Sequence, residues 1–96
     1  MTRDELLSRL RSQRAEIAGL GAKSLAVFGS AARGEAGPES DVDLLVEFEG
    51  RATFDRYMAL KDFLEELLGR RVDLVTRKAL NERLRPRVEE EAVHVA

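Results

Sequence analysis

The chain contains no cysteine. Disulfides, thiolate nucleophiles and cysteine-ligated zinc sites are therefore excluded, and the absence fits a reducing compartment. No apolar stretch approaches the roughly 20 residues needed to span a bilayer. The first residues, MTRDELLSRL, carry acids where a secretory signal has an unbroken apolar core. The expectation is a soluble, cytoplasmic protein with no membrane partner. A strong charge bias is also missing. Sixteen basic and 18 acidic residues leave a formal net charge of -2, whereas a domain that holds nucleic acid stably is expected to be basic. There is no internal repeat, linker or low-complexity tract. The single histidine, His94, has no partner visible in the sequence and is assigned no role.

What is present is enough for one compact domain covering residues 1–96. Hydrophobic residues make up 44% of the chain, which permits a sizeable core, and charged residues make up 35%. Basic residues crowd the last third, from Arg70, Arg71, Arg77 and Lys78 to Arg83, Arg85 and Arg87. Glu89, Glu90 and Glu91 follow at once. This region reads as a solvated or partner-facing surface.

Thr2 and Glu5 form a capping-box pattern that opens a helix. Leu6, Leu10 and Ile17 share its apolar face, with Leu7 beside them, and Gly19 or Gly21 ends it. Residues 24–28 read as a short buried strand. A short helix is expected from Ser30 to Arg33, then a loop through Gly34, Gly37 and Pro38. Val42 to Phe48 reads as a second strand. Its period of two puts Asp41, Asp43, Leu45 and Glu47 on one side, and Val42, Leu44, Val46 and Phe48 on the other. The strongest helix pattern runs from Thr53 to Leu68, with Tyr57, Leu60, Leu64, Leu67 and Leu68 on its apolar face and Gly69 at its end. Arg71 to Val75 is a third strand, with Asp73 opposed to Val72 and Leu74. Leu80 and Leu84 suggest a further helical turn, which Pro86 either interrupts or restarts. The fold class is α/β: alternating helices and short strands around one small sheet.

The chemistry concentrates in GSAARGEAGPESDVDLL, from Gly29 to Leu45. Asp41 and Asp43 lie on one face of a strand with Cα atoms about 6.5 Å apart. Two such carboxylates can converge on a hard divalent cation, which prefers oxygen ligands. Asp73 sits mid-strand between apolar neighbours, where an unpaired charge is costly. If the strands adjoin, three carboxylates meet and can bridge two magnesium ions roughly 3.5–4 Å apart, an arrangement suited to phosphoryl or nucleotidyl transfer. Gly29 lets the backbone approach a ligand closely, and Ser30 at a helix start makes an anion site. Arg33 supplies a planar fork for phosphate or a surface for a base. Each piece also has a plain structural reading. A Gly-Ser pair is usually a turn, Asp-x-Asp at a strand edge is often solvated or discourages edge pairing, and Asp73 can pair with Arg70 or Arg71. The order of the pieces on successive elements favours the functional reading.

GSAARGEAGPESDVDLLV resembles the signature of the minimal nucleotidyltransferases, MNT, within the DNA polymerase beta superfamily. That signature is Gly-Ser-x-x-Arg-Gly, a spacer, then Ser-Asp-x-Asp-Leu. Gly29, Ser30, Arg33, Gly34, Ser40, Asp41, Asp43 and Leu44 fit it. RVDLVTRKAL resembles the family's third strand, with Asp73 as the third carboxylate, and LRPRVEEEAVHV resembles its tail. The resemblance covers nearly the whole chain. It implies the nucleotidyltransferase fold, a small mixed sheet with helices packed on one side. It further implies two Mg2+ ions held by Asp41, Asp43 and Asp73, and a nucleoside triphosphate bound by Gly29, Ser30, Arg33 and Ser40. Small members of the family are often antitoxins paired with a HEPN-domain toxin, an RNase. In such a hetero-oligomer the MNT protein moves AMP from ATP to a tyrosine of its partner.

Two other readings stand beside this one. A non-catalytic binding module would neutralise a partner toxin by covering it, but would have no need of three converging carboxylates. A transferase acting on a small molecule or an RNA end would be expected to carry a substrate domain, which 96 residues do not accommodate.

Overall fold

A computed structural model describes residues 1–37 and 40–96. Thr2 starts the chain's first helix, α1 (Arg3–Ser12), by accepting the Glu5 N–H on its hydroxyl at 3.1 Å. Asp4 and Glu5 occupy the first turn and Arg9 and Arg11 the last, the polarity that suits the helix dipole. The single helix expected through Ile17 is in fact two. Gln13 departs from helical geometry (φ -108°, ψ 21°), and α2 (Arg14–Gly19) follows. The apolar stripe is blind to this break because Leu10 and Ile17 stand about two turns apart. Both are fully buried.

Strand β1 runs over Ala22–Phe28, starting two residues earlier than the pattern predicts. Helix α3 (Gly29–Ala32) follows immediately. The loop expected beyond it includes Gly34 and Gly37, while Pro38 lies outside the described residues. Strand β2 is Val42–Phe48, as read. Helix α4 (Phe54–Leu68) has the Thr53 hydroxyl as its cap, accepting from the Arg56 N–H at 3.3 Å. It ends at Gly69 in the left-handed region. Strand β3 is Val72–Thr76. The helical turn expected around Leu80 and Leu84 is displaced. A 3-10 turn covers Arg77–Ala79, and Leu84 is exposed just ahead of α5 (Arg85–Glu91), which has Pro86 in its first turn. A two-residue strand, β4 (Val93–His94), ends the series.

The strands form one mixed sheet in the order β3-β2-β1-β4. β1 is antiparallel to both neighbours, whereas β2 and β3 are parallel and joined through α4. Strand alternation sends Leu25, Val27, Val42, Leu44, Val46, Val72 and Leu74 to one face. There they form a core with Leu6, Leu10 and Ile17 of the N-terminal helices and Leu60, Leu64 and Leu68 of α4. The residues between them, Asp43 and Asp73 included, face the other way. Helix α5 adds no buried side chain. Among the described residues no helix is long and apolar enough to cross a membrane.

Candidate active site

The parallel pairing of β2 with β3 sets Asp43 directly opposite Asp73, and the antiparallel pairing with β1 sets Asp43 opposite Phe28. Two aspartates thus stand side by side where the last residue of β1 meets α3. Asp43 is half-buried, and Asp73 and Asp41 are exposed. The Asp43 carboxyl is pushed above its ordinary range. Partial burial is the main cause, followed by the negative charges of Asp73 and Asp41 and a side-chain contact with Asp73. Arg33 pulls weakly the other way. Burial disfavours the charged form, and like charges add to the effect.

Among the described residues none of the three aspartates joins an ion pair. The plain reading in which Asp73 pairs with Arg70 or Arg71 therefore does not hold. Arg70 instead donates to the carbonyls of Gly37 and of Ser40, the latter at 2.7 Å. Asp43 and Asp73 are brought together, and Asp41 is near enough for its charge to be felt. Among the described residues no three acidic or imidazole side chains already stand at metal-binding spacing. The chemistry of the set still fits a hard dication: all donors are carboxylate oxygens, and the like charges of Asp73 and Asp41, which add to the effect of burial on Asp43, are what a divalent cation offsets.

The role of Gly29 is explicit. Its φ is +68°, and a Cβ there would collide with the Asp43 carboxylate. Glycine is thus required both by conformation and by the close approach of the strand end to Asp43. Helix α3 begins at Gly29, one residue ahead of the expected start, so Ser30 lies in its first turn. The Ser30 carbonyl accepts the Glu35 N–H at 2.8 Å. Arg33 is held by two carboxylates: its Nε donates to Glu35 at 3.0 Å, and its Nη1 to Glu91 of α5. The Ser40 hydroxyl accepts the Gly37 N–H at 3.1 Å, so Ser40, next to Asp41, is tied back to Gly37.

Two further residues position the site. The Glu65 carboxylate accepts the Val72 N–H at 2.9 Å, and the Tyr57 hydroxyl donates to the Leu74 carbonyl at 2.5 Å. Both come from α4, and they hold the backbone on either side of Asp73. Tyr57 reads in the sequence only as part of an apolar face, and nothing singles out Glu65. Their spacing of eight, just over two turns on one helix, is the signal that places both over the same strand.

Comparison with known proteins gives a consistent result. Residues 6–95 match the family model described as nucleotidyltransferase domain. The chain is 40% identical over 96 residues to the protein adenylyltransferase MntA of Thermococcus cleftensis, covering 99% of this chain and 97% of that protein. A solved structure described as a minimal nucleotidyltransferase superposes with a TM-score of 0.87 at 45% identity, over 97% of this chain and 95% of the other. An MNT antitoxin solved in complex with a tri-AMPylated HEPN toxin of Shewanella oneidensis matches with a TM-score of 0.67. At 16% identity, over 94% of this chain and 71% of that one, the last likeness is one of fold alone.

Proposed function

The chain belongs to the nucleotidyltransferase domain family, and on that premise we propose that it transfers AMP from ATP to a tyrosine hydroxyl of a HEPN-type toxin, so acting as the toxin's antitoxin. The observation that supports this most is the Asp43–Asp73 pair in register on parallel strands, with Asp41 close by and Gly29 packed against Asp43. The relative named protein adenylyltransferase supports the choice of acceptor class. The toxin partner draws on the Shewanella oneidensis complex of the same fold.

In this reading the acceptor oxygen attacks the α-phosphorus, the bond to the β-phosphate oxygen breaks, and pyrophosphate leaves. Asp41, Asp43 and Asp73 would hold magnesium, which neutralises triphosphate charge and stabilises the attacking and leaving oxygens. Asp73 is exposed, so its carboxylate is accessible to take the proton of an incoming hydroxyl. Gly29 and Ser30 offer backbone and hydroxyl donors to phosphate oxygens at the start of α3. Arg33 would reach the same phosphates by leaving Glu35 and Glu91, and the Ser40 hydroxyl, now bonded to the Gly37 N–H, would join them beside Asp41.

The test uses ATP labelled in turn at the α- and the γ-phosphate, with magnesium and a candidate HEPN partner. Label from the α position alone, with one adenylyl group on a partner tyrosine by mass spectrometry, is the expected result. Label from the γ position would mean phosphoryl transfer, and the reading would fall.

A further inference from the structure

The run Glu89-Glu90-Glu91 falls in α5, which contributes no side chain to the core. Two residues after the helix, Val93 pairs with Val27 of β1, just ahead of Gly29. That pairing brings the end of α5 against α3. Glu91 there binds Arg33, the residue that closes α3. Glu89 meets Arg77, just beyond β3, at 2.9 Å. Residues two apart on a helix point in nearly opposite directions, so α5 lies between the two arginines and grips each with one carboxylate. Glu90, between them, is exposed and joins no ion pair among the described residues. At the start of α5, Arg85 Nη2 donates to the carbonyls of Arg77 and Leu80, each at 3.3 Å. Ion pairs and hydrogen bonds, rather than apolar packing, therefore hold this helix, and exposed ion pairs hold weakly.

We propose that α5 is a strap on the triphosphate site, and that its Glu91 competes with phosphate for Arg33. The proposal rests on the transferase reading above and adds to it the regulation of the same site. Arg33 stands one turn after Gly29, its N–H donating to the Gly29 carbonyl at 3.3 Å, and Gly29 packs against Asp43. The positive charge of Arg33 is felt at the Asp43 carboxyl. The guanidinium is thus within reach of an anion held at the carboxylates, yet Glu35 takes its Nε and Glu91 its Nη1. Glu35 is a near neighbour in the chain, whereas Glu91 is 58 residues away on a separate element. Carboxylate and phosphate fit the planar fork of arginine equally well in shape. A triphosphate brings several charged oxygens to one place, and charge-assisted pairs with them are strong. Once Arg33 turns to phosphate, Glu91 loses its partner and the end of α5 keeps only the Glu89–Arg77 pair. The strap is therefore closed on Arg33 in the empty protein and loosens when nucleotide binds.

The experiment is titration calorimetry with ATP in magnesium buffer. Glu91→Gln keeps the shape and removes the charge. It should bind ATP about two- to fivefold more tightly than wild type, the span set by losing one exposed ion pair. Removing any glutamate near an anion site favours the anion, so Glu90→Gln, the same change one residue away, gives the baseline and should gain less. In an Arg33→Met background Glu91→Gln should gain no more than Glu90→Gln, because there is nothing left to compete for. Hydrogen exchange on wild type needs no variant. The Val88 and Ala92 N–H groups, which bond to the carbonyls of Leu84 and Val88, should exchange faster with ATP bound, while those of β1 do not. A gain from Glu91→Gln no larger than that from Glu90→Gln, a gain that persists without Arg33, or Val88 and Ala92 amides that do not quicken with ATP bound would overturn the strap and leave the transferase reading standing. Failure of wild type to bind ATP would overturn that reading, and the strap with it.

Discussion

Asp43 lowers the stability of the folded chain in its ionised form. Its folded-state proton affinity is raised by partial burial and by Asp73 and Asp41, so the folded state binds a proton more tightly than the unfolded one. Stability from this group is full below the ordinary carboxylate range and is lost as pH rises through the raised folded value. Asp43→Asn has no such dependence. In chelator, the variant should melt above wild type at neutral pH, and the gap should close as pH is lowered below the ordinary carboxylate range. Melting curves across that window check it, and a gap that stays constant with pH would contradict it. Gly29 supplies the companion prediction. Gly29→Ala meets a positive φ and the Asp43 carboxylate together, with a conformational cost of about 1–3 kcal/mol before the collision is counted. Adding Asp43→Ala should recover the collision part only, a coupling of about 0.5–3 kcal/mol in a double-mutant cycle. At this scale the sequence is legible where residue type alone sets the chemistry, as for the aspartates and Gly29. It assigns Arg33 and Ser40 to the triphosphate but does not show their present partners, Glu91 and Gly37, which are chosen by packing between segments distant from or flanking each residue.

Helix α4 is the element that carries β3 to its place beside β2. Its pattern is readable because three independent signals agree: the Thr53 cap, the stripe of Leu60, Leu64 and Leu68, and the Gly69 stop. The split between α1 and α2 is hidden because the stripe runs through it. β4 is hidden because two residues carry no period and their pairing with Ala26 and Val27 is made from 66 or more positions away in the chain. Two substitutions in α4 separate its structural task from its positioning one. Leu64→Ala empties a fully buried position and should cost about 2–5 kcal/mol of stability. Tyr57→Phe removes one hydrogen bond to the backbone next to Asp73 and should cost only about 1 kcal/mol, yet slow AMP transfer at saturating ATP, with the apparent KM for ATP little changed. Denaturant titration and steady-state kinetics on the two variants distinguish these effects. A Tyr57→Phe protein with unaltered turnover would remove Tyr57 from the positioning role.

At the scale of the whole molecule, one face of the sheet is spent on the hydrophobic core and the other on the carboxylates, and the mixed strand order places Asp43 and Asp73 together. That division leaves the alternatives of catalysis and simple coverage of a partner, which charge separates. Asparagine at position 41 or 43 keeps the shape and an oxygen, but removes the charge that a dication beside a triphosphate requires. Contacts to a partner made by the basic surface around Arg83 and Arg87 would be untouched. The decisive measurement follows AMP transfer and complex formation in parallel, with wild type, Asp41→Asn and Asp43→Asn, on one HEPN partner with labelled ATP and magnesium. The account predicts transfer by wild type alone and equal pull-down of the partner by all three. Neutralisation of the partner by all three proteins, with no label transferred by any, would contradict it.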